Sequence, residues 1–274
     1  MIDLQSAAGD GLLLDALGRR PLLALDFDGT LSPLVPEPDA AAMDPRIAPL
    51  LPPLMSRMPV AIVSGRGLGD LSARVPITGL TLVGNHGNEW LRDADGDSPQ
   101  SGERKARQRQ ICLDWTAALA ASLAALGPGL AFEAKSVSLS VHYRQVADPD
   151  RTRLQLLALI RGLQPSPEII EGKFVVNLMA PGLVTKYEAI VDLVSRHQAG
   201  TAICVGDDVT DERVFERAPA DWLTVRVWDD EIAAAGANAS RSASGAASRA
   251  RAFVHRVDGV VELLERLERL SRNL

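Results

Sequence analysis

Cysteine is scarce: 274 residues hold two, Cys112 and Cys204, far apart and each in an apolar stretch. A secreted scaffold built on disulfides is excluded, and both residues read as reduced, buried thiols. Positive charge is also short. Lys and Arg number 29 against 35 Asp and Glu, for a net charge of −6. That leaves no basic footprint for sequence-independent nucleic-acid binding. An anionic substrate then needs a site built locally. The opening MIDLQSAAGDGLLLDALGRR lacks a basic segment followed by an apolar run, so no secretory leader is read. No apolar run approaches the ~20 residues that span a bilayer. The expectation is a cytoplasmic protein with neither membrane nor nucleic-acid partner. Apolar residues at 46% are enough for a full core, in one large domain or two modest ones.

Five short apolar runs organise the chain. Leu22–Phe27 leads into Asp28-Gly29, and Val60–Val63 into Ser64-Gly65-Arg66. Leu80–Val83 ends at Gly84-Asn85-His86-Gly87, Thr201–Val205 ends at Gly206-Asp207-Asp208, and Leu223–Val227 follows. Each reads as a buried strand closed by a turn. Helical stretches lie between them, as at Lys186–Ser195 and Glu212–Glu216. Alternating short strands and helices imply a doubly wound, mostly parallel sheet. Polar residues follow the strands, and ligands of open α/β sheets sit beyond the strand carboxyl ends. Asp26, Asp28, Ser64 and Asp207 are therefore expected to converge.

From about Gly102 to Met179 the texture changes. Arg107–Leu126 and Arg151–Leu163 read as helices; Ala131–Glu133, Val137–Tyr143, Ile169–Glu171 and Phe174–Leu178 read as strands. That is a helix-strand-strand unit repeated once, inserted as a cap. The expected fold is α/β: a doubly wound, mostly parallel, Rossmann-like core with an inserted α+β cap. The divisions are core 1–101, cap 102–179 and core 180–274. Ala233–Ala250 is rich in Ala, Ser and Gly and reads as a loose loop. Leu263, Leu264, Leu267 and Leu270 share one face of a final helix over Val260–Leu270, which suits core packing. Monomer and homodimer both stay open.

Asp26-Phe27-Asp28-Gly29-Thr30 carries the strongest chemical signal. Alternation along a strand puts Asp26 and Asp28 on one side. Two carboxylates ~5 Å apart repel by about 3 kcal/mol at an effective dielectric near 20. A hard divalent cation is the natural compensation. Gly206-Asp207-Asp208-Val209-Thr210-Asp211-Glu212 places four acids within six residues after another apolar strand. Helix capping by Thr210 or Asp211 explains one or two of them; a metal site shared with the first cluster explains more. Ser64-Gly65-Arg66 offers a hydroxyl and backbone N–H groups, as a helix N-cap or an anion site. Lys186 opens a helix, where the dipole disfavours a cation, which points to a nearby anion.

In this order, Asp-x-Asp-Gly-Thr, Ser, Lys and Gly-Asp-Asp-x-x-Asp, the stretches resemble the haloacid dehalogenase superfamily of phosphohydrolases. Ser64 follows Asp28 by 36 positions, while 122 positions separate Ser64 from Lys186 and leave room for the cap. That placement resembles the sugar-phosphatase branch. Within it the chain resembles the trehalose-6-phosphate phosphatase family, through DFDGTLSPLVPEPDAA from Asp26, VSGR from Val63, GNHGNE from Gly84, EAKSVSLSVHYR from Glu133 and GDDVTDE from Gly206. Two places depart from the family pattern. Asn177-Leu178-Met179-Ala180-Pro181 stands where a glutamate and a basic residue are usual, and Tyr187 stands where glycine usually follows the lysine.

The resemblance implies Mg²⁺-dependent hydrolysis of a sugar phosphate through an aspartyl-phosphate. Asp26 would be the nucleophile and Asp28 the acid and base. Asp26, the Asp28 carbonyl and Asp207 would hold Mg²⁺. Ser64, Gly65 and Lys186 would bind phosphate. Thr30, Asp208 and Asp211 would orient these groups. Arg66, Asn85, His86, Glu133, Lys135 and His142 would contact substrate, although Glu133 with Lys135 reads equally as a surface pair and His142 as a core histidine. Three rival readings are a phosphatase for another glycosyl phosphate, such as glucosylglycerol phosphate, a phosphotransferase, and a non-catalytic sugar-phosphate sensor.

Overall fold

Short β-branched and leucine-rich runs make the strands, and the burial of both their faces decides how they assemble. A computed structural model describes residues 1–35, 37–90, 99–134, 137–172, 174–228 and 248–272, with the side chains of 99–105 and 121 left out. Two compact units are present: unit 1 comprises Met1–Leu91 and Val184–Leu274, unit 2 Arg92–Leu183.

The first segment of unit 1 runs β1 (Ile2–Asp3), α1 (Ala7–Gly18), β2 (Pro21–Leu25), α2 (Leu51–Met55), β3 (Val60–Val63), α3 (Leu68–Arg74), β4 (Thr81–Gly84) and β5 (Glu89–Trp90). Unit 2 follows with α4 (Pro99–Ala124), β6 (Ala131–Ala134), β7 (Ser138–His142), α5 (Pro149–Ile160), β8 (Glu168–Gly172) and β9 (Val175–Met179). Unit 1 resumes with α6 (Lys186–Arg196), β10 (Thr201–Gly206), α7 (Val209–Arg217), β11 (Leu223–Trp228), β12 (Ala252–His255) and α8 (Arg256–Ser271).

The eight strands of unit 1 lie in the order β1-β12-β11-β10-β2-β3-β4-β5, parallel except for β5. Every residue of β2, β3 and β10 is buried, as expected of parallel strands covered on both faces. Alternation splits them between two cores. Leu23, Leu25, Ile62, Ile203 and Val205 join Leu13 of α1 and Leu264 of α8 on one face. Leu22, Ala24, Ala61, Val63, Ala202 and Cys204 join Ile190 of α6 and Phe215 of α7 on the other. The chain proceeds outward from β2 through β3 and β4, and in the opposite direction from β10 through β11 and β12. The reversal between β2 and β10 makes the crevice where open α/β sheets bind ligands.

Unit 2 is a four-stranded antiparallel sheet in the order β6-β7-β9-β8. Leu139, Val141, Val176 and Leu178 on one face pack with Trp115 and Leu119 of α4 and Leu156 and Ile160 of α5. Asp148 caps α5 by accepting from Arg151 N at 3.0 Å. The doubled helix-strand-strand pattern is present, with α4 starting earlier than its periodicity indicates, at Pro99.

Helix α1 and strands β1, β5 and β12 escape a reading by pattern: three are strands of two to four residues at or near a sheet edge. Helix α8 is longer than expected, and Leu263, Leu264 and Leu267 are core residues. Most of the Ala/Ser/Gly-rich stretch lies outside the described residues. Cys112 and Cys204 are free and buried. Among the described residues no helix is long and apolar enough to cross a membrane.

Leu264 is fully buried and Leu154 is 63% exposed. Leu264→Ala is expected to cost about 2–5 kcal/mol, seen as an earlier urea midpoint, and Leu154→Ala less than about 0.5 kcal/mol.

Candidate active site

The tips of β2 and β10 bring the acids together. Asp26 N donates to Val205 O at 2.9 Å, so pairing runs one residue past β2 and ends beside Gly206. The chain then turns sharply. Phe27 O accepts from Leu31 N and Ser32 N at 2.8 and 2.9 Å, and Gly29 takes φ +75°. Only glycine fits there, because a Cβ would lie 2.1 Å from Asp207 Oδ2. Gly206 is similar: a Cβ would meet Asp211 Cγ at 2.2 Å.

Helix α7 starts at this tip. Asp208 is its N-cap and forms a reciprocal capping box with Asp211, whose Oδ2 accepts from Asp208 N at 3.1 Å. The cap is therefore Asp208 rather than Thr210 or Asp211, because Asp211 is the third helical residue. Helix α6 is capped by a box between Thr185 and Glu188, which makes Lys186 the first helical residue. Lys186 is 4% exposed. Its Nζ lies 2.8 Å from Asp26 Oδ1 and 2.9 Å from Asp211 Oδ1.

Ser64 is not a helix N-cap, since α3 begins after Gly67. Its Oγ accepts from Arg66 N at 3.1 Å, and its backbone N donates to Val83 O at 2.9 Å. Gly65 is crossed by His86, whose Cε1 would lie 2.5 Å from a Cβ. The Arg66 guanidinium clasps Asp28 with two bonds of 2.7 Å, reaches Asp70 at 2.6 Å and Pro38 O at 3.0 Å, and lies over the Phe27 ring. Thr30 is fully buried, and its hydroxyl finds no partner among the described residues. Asn85 and His86 are buried with φ of +48° and +56°. In unit 2, His142 Nε2 and Glu133 Oε2 are 3.1 Å apart, and Lys135 lies outside the described residues. Asn177 accepts from Ser140 Oγ at 2.6 Å and donates to Ile170 O at 3.3 Å, so its amide is engaged within the sheet. Tyr187 packs beside Trp222 and beneath Arg217. Two residues with no sequence-based role are also tied into unit 1. Asn88 hydrogen-bonds the backbone of Val184, and Glu89 accepts from Leu68 N at 2.6 Å. Both lie in the GNHGNE stretch, the one signal that pointed to them.

Acids outnumber cations here. One oxygen each from Asp26, Asp207 and Asp211 lie within 4.8 Å of one another. Burial raises the Asp26 pKa to about 7; Lys186 opposes the shift, and Asp211 and Asp28 add to it. Asp207 is raised well above the carboxylate range by burial, then by Asp26, Asp208 and Asp211. Burial also works against the Lys186 charge, but Asp211 and Asp26 outweigh it and hold its pKa up. Asp207 Oδ1 is buried without a hydrogen-bond partner among the described residues. Both Asp211 oxygens are committed, to Lys186 and to Asp208 N. Asp26 and Asp207 are thus the better ligand pair, and an all-oxygen set with surplus negative charge fits a hard divalent cation.

The metal-free protein binds more protons folded than unfolded between about pH 4 and 7, because Asp26 is raised on folding. Its stability contribution from this site therefore falls as pH rises through that window. Mg²⁺ is expected to raise the melting temperature more at pH 8 than at pH 5. Melts in excess chelator and in Mg²⁺ at both pH values check this.

The model of the trehalose-phosphatase family matches residues 24–242. A trehalose-phosphate phosphatase of Mycobacterium leprae is 33% identical over 215 residues, covering 75% of this chain and 49% of that protein. An uncharacterized glycosyl hydrolase of Mycobacterium tuberculosis is 36% identical over 211 residues, covering 73% of this chain and 15% of that one. The chain thus spans half or less of the length of these relatives. The crystal structure of a trehalose-6-phosphate phosphatase related protein superposes with a TM-score of 0.70 at 23% identity, covering 92% and 99% of the two chains, which shows the shared fold. By the extent of the family match and the identity to these relatives, the chain belongs to the trehalose-phosphatase family.

Proposed function

We propose that the protein hydrolyses trehalose 6-phosphate to trehalose and phosphate through an aspartyl-phosphate on Asp26. The observation that carries this reading is the buried Asp26 carboxylate bonded to Lys186 at the sheet's reversal point, beside Asp207. A carboxylate so held is fixed in place and shielded from solvent, as a nucleophile requires. Attack by Asp26 breaks the bond to the sugar oxygen. Asp28 gives that oxygen a proton and later takes one from the water that cleaves the acyl phosphate. Lys186, the Ser64 hydroxyl and the N–H of Gly65 hold phosphate oxygens as charge spreads over them. Asp211 keeps Lys186 aimed at Asp26, and Asp208 holds Asp211 through its cap.

Asp26, Asp207 and the Asp28 carbonyl would hold Mg²⁺. When bound, it supplies the positive charge that lets a phosphate approach clustered acids. Sugar recognition is assigned to Asn85, His86, Glu133, Lys135 and His142, with Arg66 serving first to hold Asp28. A reducing cytoplasm, where Cys112 and Cys204 stay thiols, suits the reading. The engaged Asn177 amide favours one second reading, a related glycosyl phosphate as substrate, because this position offers the sugar no free carboxylate.

Phosphate release from trehalose 6-phosphate is expected with Mg²⁺ and abolished by excess chelator; turnover in chelator would sink the metal reading. Across a panel of glycosyl phosphates, trehalose 6-phosphate should give the highest kcat/KM. Asp26→Asn is expected to lose at least about 10³-fold in kcat while keeping a cooperative melt.

A further inference from the structure

Asn88 touches none of the reacting groups, yet every part of its side-chain amide is engaged. Its Oδ1 accepts from Val184 N at 2.9 Å, and its Nδ2 donates to Val184 O at 2.7 Å and to Asn85 O at 2.9 Å. The amide mimics a peptide and bridges to both backbone groups of a residue 96 positions away. It is 9% exposed, so this bridge forms away from competing water. Val184 stands two residues before Lys186. Beside it, Gly87 presses on the same turn: a Cβ there would lie 2.8 Å from Thr185 O and 3.1 Å from Ala189 Cβ.

The other side of the loop holds the serine turn. Asn85 N donates to Arg66 O at 2.6 Å, and His86 N donates to Ser64 O at 2.9 Å. Asn85, His86 and Gly87 take φ of +48°, +56° and +116° in succession. Non-glycine residues keep that backbone only where the surroundings over-determine it. Here the over-determination comes from both neighbours: the Ser64–Arg66 turn accepts the N–H groups, and the start of α6 is gripped by Asn88.

We infer that Asn88 is a positioning residue which sets the start of α6 and thereby places the Lys186 ammonium on Asp26 in register with the Ser64 turn. The inference rests on the proposed phosphate-binding role of Lys186. If Asn88 acts through Lys186, its effect disappears where Lys186 is already displaced; a merely structural role gives losses that multiply.

The test measures phosphate release from trehalose 6-phosphate by wild type, Asn88→Ala, Lys186→Arg and the double variant. Asn88→Ala should lower kcat about 10- to 100-fold, the scale of a roughly 1 Å misplacement, with KM moved less than about threefold. In the Lys186→Arg background the further loss should stay under about twofold. Multiplying losses, or a wild-type kcat in Asn88→Ala, overturn the proposal. Amide exchange supplies a readout that needs no substrate. Residues 184–189 should exchange faster in Asn88→Ala while β2 and β10 are unchanged, and unaltered exchange at 184–189 overturns it as well. Should Asn88→Ala not fold, Asn88→Ser replaces it with the same two expectations. A wild type without turnover sinks the substrate reading alone, and the exchange experiment still decides the role of Asn88.

Discussion

An ammonium group shared by two buried carboxylates organises unit 1. Lys186 meets Asp26 from β2 and Asp211 from α7 at 2.8 and 2.9 Å, so three separate stretches of chain are tied at one nitrogen. Taking these charges out of water is costly, and removing one partner of such a pair typically costs about 3–5 kcal/mol. Burial supports a unique geometry here because each acid has an assigned bond: Asp26 to Lys186, Asp211 to Lys186 and to Asp208 N. Asp207 breaks that pattern. Its buried Oδ1 has no partner among the described residues, so the cluster keeps one acceptor in reserve and more carboxyl groups than Lys186 can pair. A structural ion pair would gain nothing from that surplus, whereas a cation site requires it.

Topology explains why residues so far apart in the chain can meet. β2 and β10 are parallel neighbours from Thr201↔Pro21 to Val205↔Leu25, so their carboxyl ends are level. Level ends put Asp26 and Asp207 side by side, Gly29 leaves the space that Asp207 fills, and Gly206 leaves the space that Asp211 fills. Helix α6, which precedes β10, and helix α7, which follows it, bring their N-terminal turns to the same place. Lys186 stands at one such turn against the helix dipole, and the two carboxylates offset that unfavourable position.

Much of this was legible in the sequence because it is local. An apolar run ending in Asp-x-Asp-Gly-Thr announces a strand tip, and four acids after a second run announce its partner. The inserted antiparallel unit showed itself through a repeated helix-strand-strand texture. The remainder depends on contacts that no local pattern encodes. Strands β1 and β5 hold two residues each, too few to show alternation. The bonds from Arg66 to Asp28 and Asp70 are of this kind, since the Val-Ser-Gly-Arg stretch does not announce them. Helix capping at α7 fell to Asp208, because the choice among adjacent acids is made by the backbone direction leaving β10. Asn88 lies in the GNHGNE stretch, but its partner Val184 is 96 positions along the chain, so no local pattern announces the bond.

Asn88 joins the two segments of unit 1 across the insert. The first segment of unit 1 ends at Leu91 and its second begins at Val184, and Asn88 bonds the latter directly. The two chain ends that bracket the insert are thus stapled to each other by unit 1 itself. From the scaffold's standpoint the intervening residues amount to one large loop, whose closure cost grows only logarithmically with length. By this measure, lengthening or shortening the insert adds little to the cost of bringing Lys186 to the acid cluster.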